Sequence, residues 1–368
     1  RYGPVKIERV DCIPFTLPLR RAIGFAAGRL AETEHVLIEV HTDEGLVGRA
    51  EAPSRPFFYG ESQVSMVGAV EKWFGPMLAG LDPFAIERVW ERLRTVEHNN
   101  TVKGALDVAL HDIMGQALGM PCHRLLGGWG ETATVTYVCG LGAPEAVRDE
   151  ALEMNASHGI TAFKLKAGLD LARDAAMLRA VREALPAALL YVDANQGLTG
   201  HAAVRTLRLC EEWGIAWAEE PCHAHDRAGR RLAAGATTVP VLGDESCRTP
   251  EEVAREIDDG AVHLVSIKTA RTGFRVSRDI LGHCLARRVR PLSGSQGDSG
   301  IGVLAGLHFC VAHQATQGLP AELCFHLNLV DDLLAEPPPV KDGMLRAPAA
   351  PGLGIAIDRE KLQRYRVG

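Results

Sequence analysis

The sequence lacks a basic surplus: its formal net charge at pH 7 is −6 over 368 residues. That leaves no electrostatic footprint for nucleic acid or for an anionic membrane. No stretch of it approaches the roughly 18 consecutive apolar residues that a membrane helix needs. The start, RYGPVKIERV, lacks the apolar centre of a signal peptide. The nine cysteines form no CxxC pair, which removes the usual zinc-knuckle and redox spacings. Their odd number and apolar surroundings predict reduced, buried thiols in a cytoplasmic protein. Low-complexity runs are also missing.

What remains is ordinary globular composition, 46% hydrophobic and 23% charged. The length suits two domains, or one large α/β barrel with an addition. VKIERVDCIPFTLP and HVLIEVHTDEGLVGRAEA are strand-like, with a turn at Asp43-Glu44-Gly45. Residues 61–126 then read as helical. In TVKGALDVALHDIMGQALGM the apolar residues recur three and four apart, and the run stops at Gly119 and Pro121. Strands followed by helices predict an α+β unit over 1–130.

After LLGGWG the rhythm changes. Short apolar runs (TVTYVCG, TAFKLKAG, LLYVDAN, AWAEEP, VLGDE, VHLVSIKT, VRPLSGSQ, AELCFH) alternate with amphipathic stretches such as DAAMLRAVREAL and PEEVAREIDDG. This alternation predicts a parallel (β/α)8 barrel over 131–326, slightly short for that fold, so that the last helix is missing or altered. The Pro-rich tail, 327–368, is expected to return to the first domain.

In such a barrel the C-terminal strand ends form the active face. Those ends carry Lys164 and Lys166 on the second strand, Asp193 and Asn195 on the third, Glu219 on the fourth and Asp244 on the fifth. Lys268 follows on the sixth, Gln296 on the seventh and Glu322 on the eighth. Asp193, Glu219 and Asp244 lie 26 and 25 residues apart, about one strand–helix repeat, so they should be neighbours on the rim. Three gathered carboxylates repel unless a divalent cation neutralises them. Oxygen donors without His or Cys favour Mg²⁺ or Mn²⁺ over zinc. Lys164 and Lys166, two apart on one strand, share a face, and Lys268 lies across the mouth. Cationic neighbours and partial burial are expected to lower the lysine pKa values toward the working range. Proton transfer at a carbon next to a substrate carboxylate is the chemistry this set predicts. The bland alternative for each residue is a structural ion pair at a barrel rim.

KLK (164–166), VDAN (192–195), AEEP (218–221), GDES (243–246) and SIKTARTGF (266–274) resemble the muconate lactonizing subgroup of the enolase superfamily. A lysine base working beside divalent metal is a general pattern in that superfamily. No His stands after PLSGSQ, as the mandelate racemase subgroup would have it. The resemblance implies an α+β capping domain over a modified (β/α)7β TIM-like barrel. It implies metal ligation by Asp193, Glu219 and Asp244, with Lys166 and Lys268 as acid/base groups. Lys164 becomes an electrostatic partner of Lys166 or a contact to the substrate carboxylate, and Asn195 supports the ligands. The implied reaction is cycloisomerisation of cis,cis-muconate to muconolactone by a homo-oligomer, with an octamer among the options.

Arg55, Phe57 and Tyr59 are expected on a cap loop over the substrate, with Arg20 or Arg21 on another, and an arginine there would hold a distal carboxylate. Gln296, Asp298 and Glu322 are expected to shape the pocket. GSQGDSGIG also admits a phosphate cradle. Dipeptide epimerase, N-succinylamino-acid racemase and o-succinylbenzoate synthase share the same core and stay open as alternatives. A catalytically silent ligand-binding barrel is the reading from a different class.

Overall fold

The computed structural model describes residues 5–25 and 28–367. Ile7–Phe25, Gly28–Thr42 and Val47–Pro53 form an antiparallel meander. The second and third strands are joined by the expected turn, where Gly45 supplies φ 78. Alternation along Val36, Ile38 and Val40 presents one apolar face to the helix Asn100–Leu118. That helix ends at Gly119 in the left-handed region (φ 66), as its sequence predicts. Its start is capped by a distant residue: Glu61 accepts from the backbone N–H of Thr101 (2.9 Å) and Val102 (3.2 Å).

Seven parallel strands follow: Tyr137–Val138, Ala162–Lys166, Leu189–Asp193, Ala218–Glu219, Val241–Gly243, Leu264–Ile267 and Arg290–Ser293. They neighbour one another in chain order. The eighth element is shorter than the sequence suggests. Ala321 bridges Val135 in parallel, the Thr136 N–H donates to Ala321 O (2.7 Å), and the Glu322 N–H donates to Ser293 O (2.8 Å). These contacts join the seventh strand to the first and close a modified TIM barrel, with the α+β sheet as its cap. Residues beyond Cys324 turn into a 3-10 segment instead of extending the strand.

TVTYVCG divides its pairing. Thr132–Thr134 pairs antiparallel with Met344–Arg346 of the tail, and only Tyr137–Val138 enters the barrel. Gly300–Ala312 is apolar on every side and buried along its whole length, as an all-round hydrophobic helix must be. Phe15, Leu17 and Leu37 of the cap, Ile301 and Leu304 of that helix, and Leu333, Leu334 and Leu362 of the tail form one cluster. Among the described residues no helix is long and apolar enough to cross a membrane.

Cap and barrel are also tied by a buried carboxylate. Asp107 accepts from Trp90 Nε1 (2.7 Å) and from the backbone N–H of Phe274 (2.6 Å) and Arg275 (3.1 Å). The last two lie at the kink where Gly273 (φ 58) breaks the helix after the sixth strand. A side chain at Gly273 would meet Asp107 Oδ2 at 2.6 Å. The glycine of SIKTARTGF is therefore required by backbone conformation and by close approach.

Candidate active site

Registered strand ends bring the charged residues together. Lys166 pairs with Asp193 across the second and third strands, and Asp193 with Glu219 across the third and fourth. Parallel strands run about 4.8 Å apart, so these side chains rise as neighbours. A cavity of about 150 Å³ opens here between barrel and cap. Lys164, Lys166, Asp193, Asn195, Asp244, Glu245, Lys268, Gln296 and Glu322 line its barrel side, while Leu19, Ile23, Leu30, Phe58 and Tyr59 close it from the cap.

Each ammonium meets carboxylate. Lys164 Nζ lies 3.0 Å from Glu219 Oε2, 2.9 Å from Glu322 Oε2 and 3.5 Å from Asp193 Oδ2. Lys166 Nζ donates to Asp193 Oδ2 and to Asn195 Oδ1, both at 2.6 Å. Lys268 Nζ donates to Asp244 Oδ2 (2.5 Å), and Arg271 Nη1 donates to Asp244 Oδ1 (2.7 Å). Two of the lysines answer the question of their protonation against expectation. Burial pushes Lys164 down, but Glu219, Glu322 and Asp193 outweigh it and hold the ammonium well above its ordinary range. Burial likewise lowers Lys268, and Asp244 with Tyr59 reverses the direction. Anionic partners are closer than cationic ones, and proximity decides the sign.

The carboxylates divide too. Asp244 and Asp193 are buried, a penalty that Lys268, Arg271, Lys166 and Lys164 overcome, so both stay below the usual carboxylate range. Glu219 goes the other way: burial and the neighbouring Glu322 raise it well above, despite Lys164. Burial together with Asp244 and Glu220 raises Glu245, whose Oε2 is buried without a partner among the described residues.

Around the cavity five carboxylates (Asp193, Glu219, Asp244, Glu245, Glu322) thus face five cations (Arg55, Lys164, Lys166, Lys268, Arg271). Among the described residues, no three acidic, His or Cys side chains form a ready ligand set, because ammonium groups stand between the carboxylates. The orphaned Glu245 oxygen and an all-oxygen donor set nevertheless fit a hard divalent cation.

The cap loop differs from its expectation. Arg55 donates all five N–H groups: Nε to Gln296 O (2.6 Å), Nη1 to Ser54 O (2.6 Å) and Glu34 O (3.2 Å), Nη2 to Gly297 O (2.7 Å) and Thr33 Oγ1 (2.8 Å). It fastens the seventh-strand loop to the cap and has no N–H left for a distal carboxylate. Phe57 is 68% exposed, and Phe58 takes the place on the cavity wall expected for it. Tyr59 does reach the site, its hydroxyl accepting from Arg271 Nη1 (2.9 Å) and from Lys268 Nζ (3.4 Å); burial raises its pKa to about 12. Arg20 is exposed, and Arg21 pairs with Glu153 outside the cavity.

Asp298 braces its own loop, accepting from Ser295 Oγ (2.8 Å), and does not line the cavity. Nor does GSQGDSGIG cradle phosphate. The Ser299 N–H donates to Glu51 (2.7 Å) and the Gly300 N–H to Asp332 (2.7 Å), so carboxylates already occupy that helix start. Glu322 orients instead of contacting solvent: Tyr191 OH donates to its Oε1 (2.6 Å) and Lys164 to its Oε2. Arg271 and Glu245 were given no role in the sequence reading, although Glu245 stands at the fifth strand's end. Arg271 sits three residues past Lys268, one helical turn along, and Glu245 directly follows Asp244; both offsets were available as signals.

Comparison with known proteins now decides the family. Residues 10–127 match the mandelate racemase / muconate lactonizing enzyme N-terminal domain, and residues 146–361 match the enolase C-terminal domain-like family. The chain belongs to the enolase superfamily, in its muconate lactonizing subgroup. A muconate lactonizing enzyme from Mycobacterium smegmatis, solved with muconolactone, superposes with a TM-score of 0.96 at 38% identity, covering 99% of this chain and 100% of that one. The L-Ala-D/L-Glu epimerase from Bacillus subtilis gives 0.91 at 28%, covering 96% and 99%. The N-succinyl-L-Arg/Lys racemase of Bacillus cereus is 29% identical, over 99% of this chain and 98% of its own. Enolase-superfamily membership carries with it metal-assisted, isomerase-type chemistry on a small carboxylate.

Proposed function

We propose that the chain is a muconate cycloisomerase, converting cis,cis-muconate to muconolactone. One observation carries the acid/base chemistry of this reading: Lys166 and Lys268, from the second and sixth strands, enter one cavity and are separated by the carboxylates between them. A substrate carboxylate seated among those groups would present its neighbouring carbon to an amine on either side. Lys166 and Lys268 are the acid/base pair, and Lys164 stabilises Glu219 and Glu322 beneath them. Asp193, Glu219 and Asp244 would hold Mg²⁺ or Mn²⁺, with Asn195 bracing Lys166 and Glu245 beside them. The cation would stabilise negative charge building on the substrate carboxylate. In this reading residues 1–130 are the cap, 131–326 the catalytic barrel and 327–368 the returning tail.

Muconate is favoured over a dipeptide because the acid at the eighth strand is not available to a free ammonium. Glu322, the acid of the eighth strand, is engaged on both oxygens. The 38% identity to an enzyme solved with muconolactone supports the same choice. The test is a panel of dicarboxylates and N-acyl amino acids with Mg²⁺ or Mn²⁺ in D₂O, followed by proton NMR. Lactonisation of muconate should be the fastest reaction. Faster α-proton exchange on an N-acyl amino acid would replace this assignment with a racemase.

A further inference from the structure

We infer that Gln296 is the specificity residue for the far end of the substrate, and that it works there as a neutral amide. Gln296 lines the cavity and is 5% exposed, and neither its Nε2 nor its Oε1 has a hydrogen-bond partner among the described residues. Its backbone is held in place, because its carbonyl accepts from Arg55 Nε at 2.6 Å. A side chain added at Gly297 would meet Arg55 Nη2 at 2.8 Å, so loop and guanidinium leave no slack. The backbone is therefore pinned, and the residue shares the cavity wall with Leu19, Ile23, Leu30, Phe58 and Val138. An unpaired buried polar group is destabilising, and a ligand oxygen at this spot would remove the penalty on Nε2.

The inference rests on the muconate reading and explains a feature of it. In lactonisation the far carboxylate is the nucleophile. Its oxygen forms a C–O bond to the carbon β to the seated carboxylate, and the π pair moves toward the α-carbon and that carboxylate. An ammonium then delivers its proton to the α-carbon and is reprotonated from water. The dianion plus one proton thus gives the lactone monoanion, with no redox partner. A guanidinium would grip the far carboxylate in a bidentate pair and stabilise its charge, which makes it a poorer nucleophile. A single amide N–H orients the same oxygen while leaving its charge available. Arg55 lines the same cavity, but its five N–H groups are already committed and leave it no bidentate grip on that carboxylate.

Steady-state lactonisation of cis,cis-muconate by the wild type and three variants tests this, with circular dichroism confirming that each folds. Gln296→Leu should raise KM at least tenfold with kcat changed less than threefold. Gln296→Glu, nearly the same shape, should lose at least a hundredfold in kcat/KM through charge repulsion. Gln296→Arg should bind muconate as well as the wild type or better, with kcat at least tenfold lower. An unchanged KM in Gln296→Leu, or an undiminished kcat in Gln296→Arg, overturns the inference while leaving the muconate reading intact. A wild type inert toward muconate overturns the reading and this inference with it.

Discussion

Buried carboxylates occur at the barrel mouth and in the cap, and their partners differ in kind. Asp193 and Asp244 at the mouth face lysine and arginine, which hold them ionised below the usual range. In the cap, Asp112 accepts from the backbone N–H of Arg49 (2.9 Å) and Leu353 (2.8 Å) and from Gln116 Nε2 (3.0 Å). Burial dominates there and raises its pKa to about 6. Glu61, over the helix Asn100–Leu118, is raised for the same reason although amides satisfy it. Neutral donors position a carboxylate, whereas ammonium groups keep it charged. The mouth is built for charge to move, the cap for the chain to stay put. Glu219 marks the boundary of the rule, because its neighbours are mostly other carboxylates.

The largest test of this contrast removes the mouth's amines. Lys166→Ala and Lys268→Ala should each lower kcat by about 10²–10⁴-fold, the usual contribution of a positioned acid or base. Calorimetry should still register Mn²⁺ binding, since the carboxylates remain. Turnover within tenfold of wild type in both variants would refute the proposed mechanism.

A middle-sized effect tests the cap. Asp112 titrates near 6 when folded and near 3.8 when unfolded, so its contribution to stability is complete below pH 3.8 and is lost as pH rises through 6. Relative to Asp112→Asn, wild-type stability should therefore fall by about 3 kcal/mol between acid and neutral pH. Urea melts at pH 4, 5.5 and 7 would show it; a gap widening in favour of wild type toward pH 7 has the wrong sign and would break the comparison.

The smallest effect separates two adjacent phenylalanines. Phe58→Ala should raise KM for muconate by about three- to tenfold through lost apolar contact, and Phe57→Ala by less than twofold. Equal effects from both would show that the loop presents its side chains differently to substrate.

What could be read in advance follows from this division. Asp193, Glu219 and Asp244 were legible because each terminates a strand of a repeating unit, and a parallel barrel turns even spacing into adjacency. The lysines were legible because two residues apart on a strand means one face. The protonation of Lys164 and Lys268 was not legible. It depends on distances of a few ångströms to Glu322, Tyr59 and Arg271, which come from elements far away in the chain. Arg55 lines the cavity with every N–H already committed, and four of its five acceptors are backbone carbonyls. Carbonyls are the same for every residue type, so no motif announces them.

By itself, then, the order of residues determined an α+β cap, a parallel barrel and a rim of acids and amines, all consequences of periodicities of two, of about 3.6, and of one strand–helix repeat. Folding in three dimensions alone decided which cations face which anions, which aromatic closes the cavity, and that Gln296 stands there unpartnered. Those outcomes depend on the docking of the cap onto the barrel, a contact between segments some 240 residues apart in the case of Arg55 and Gln296. Local pattern carries no information about such pairings, because only packing density and hydrogen-bond geometry select among them.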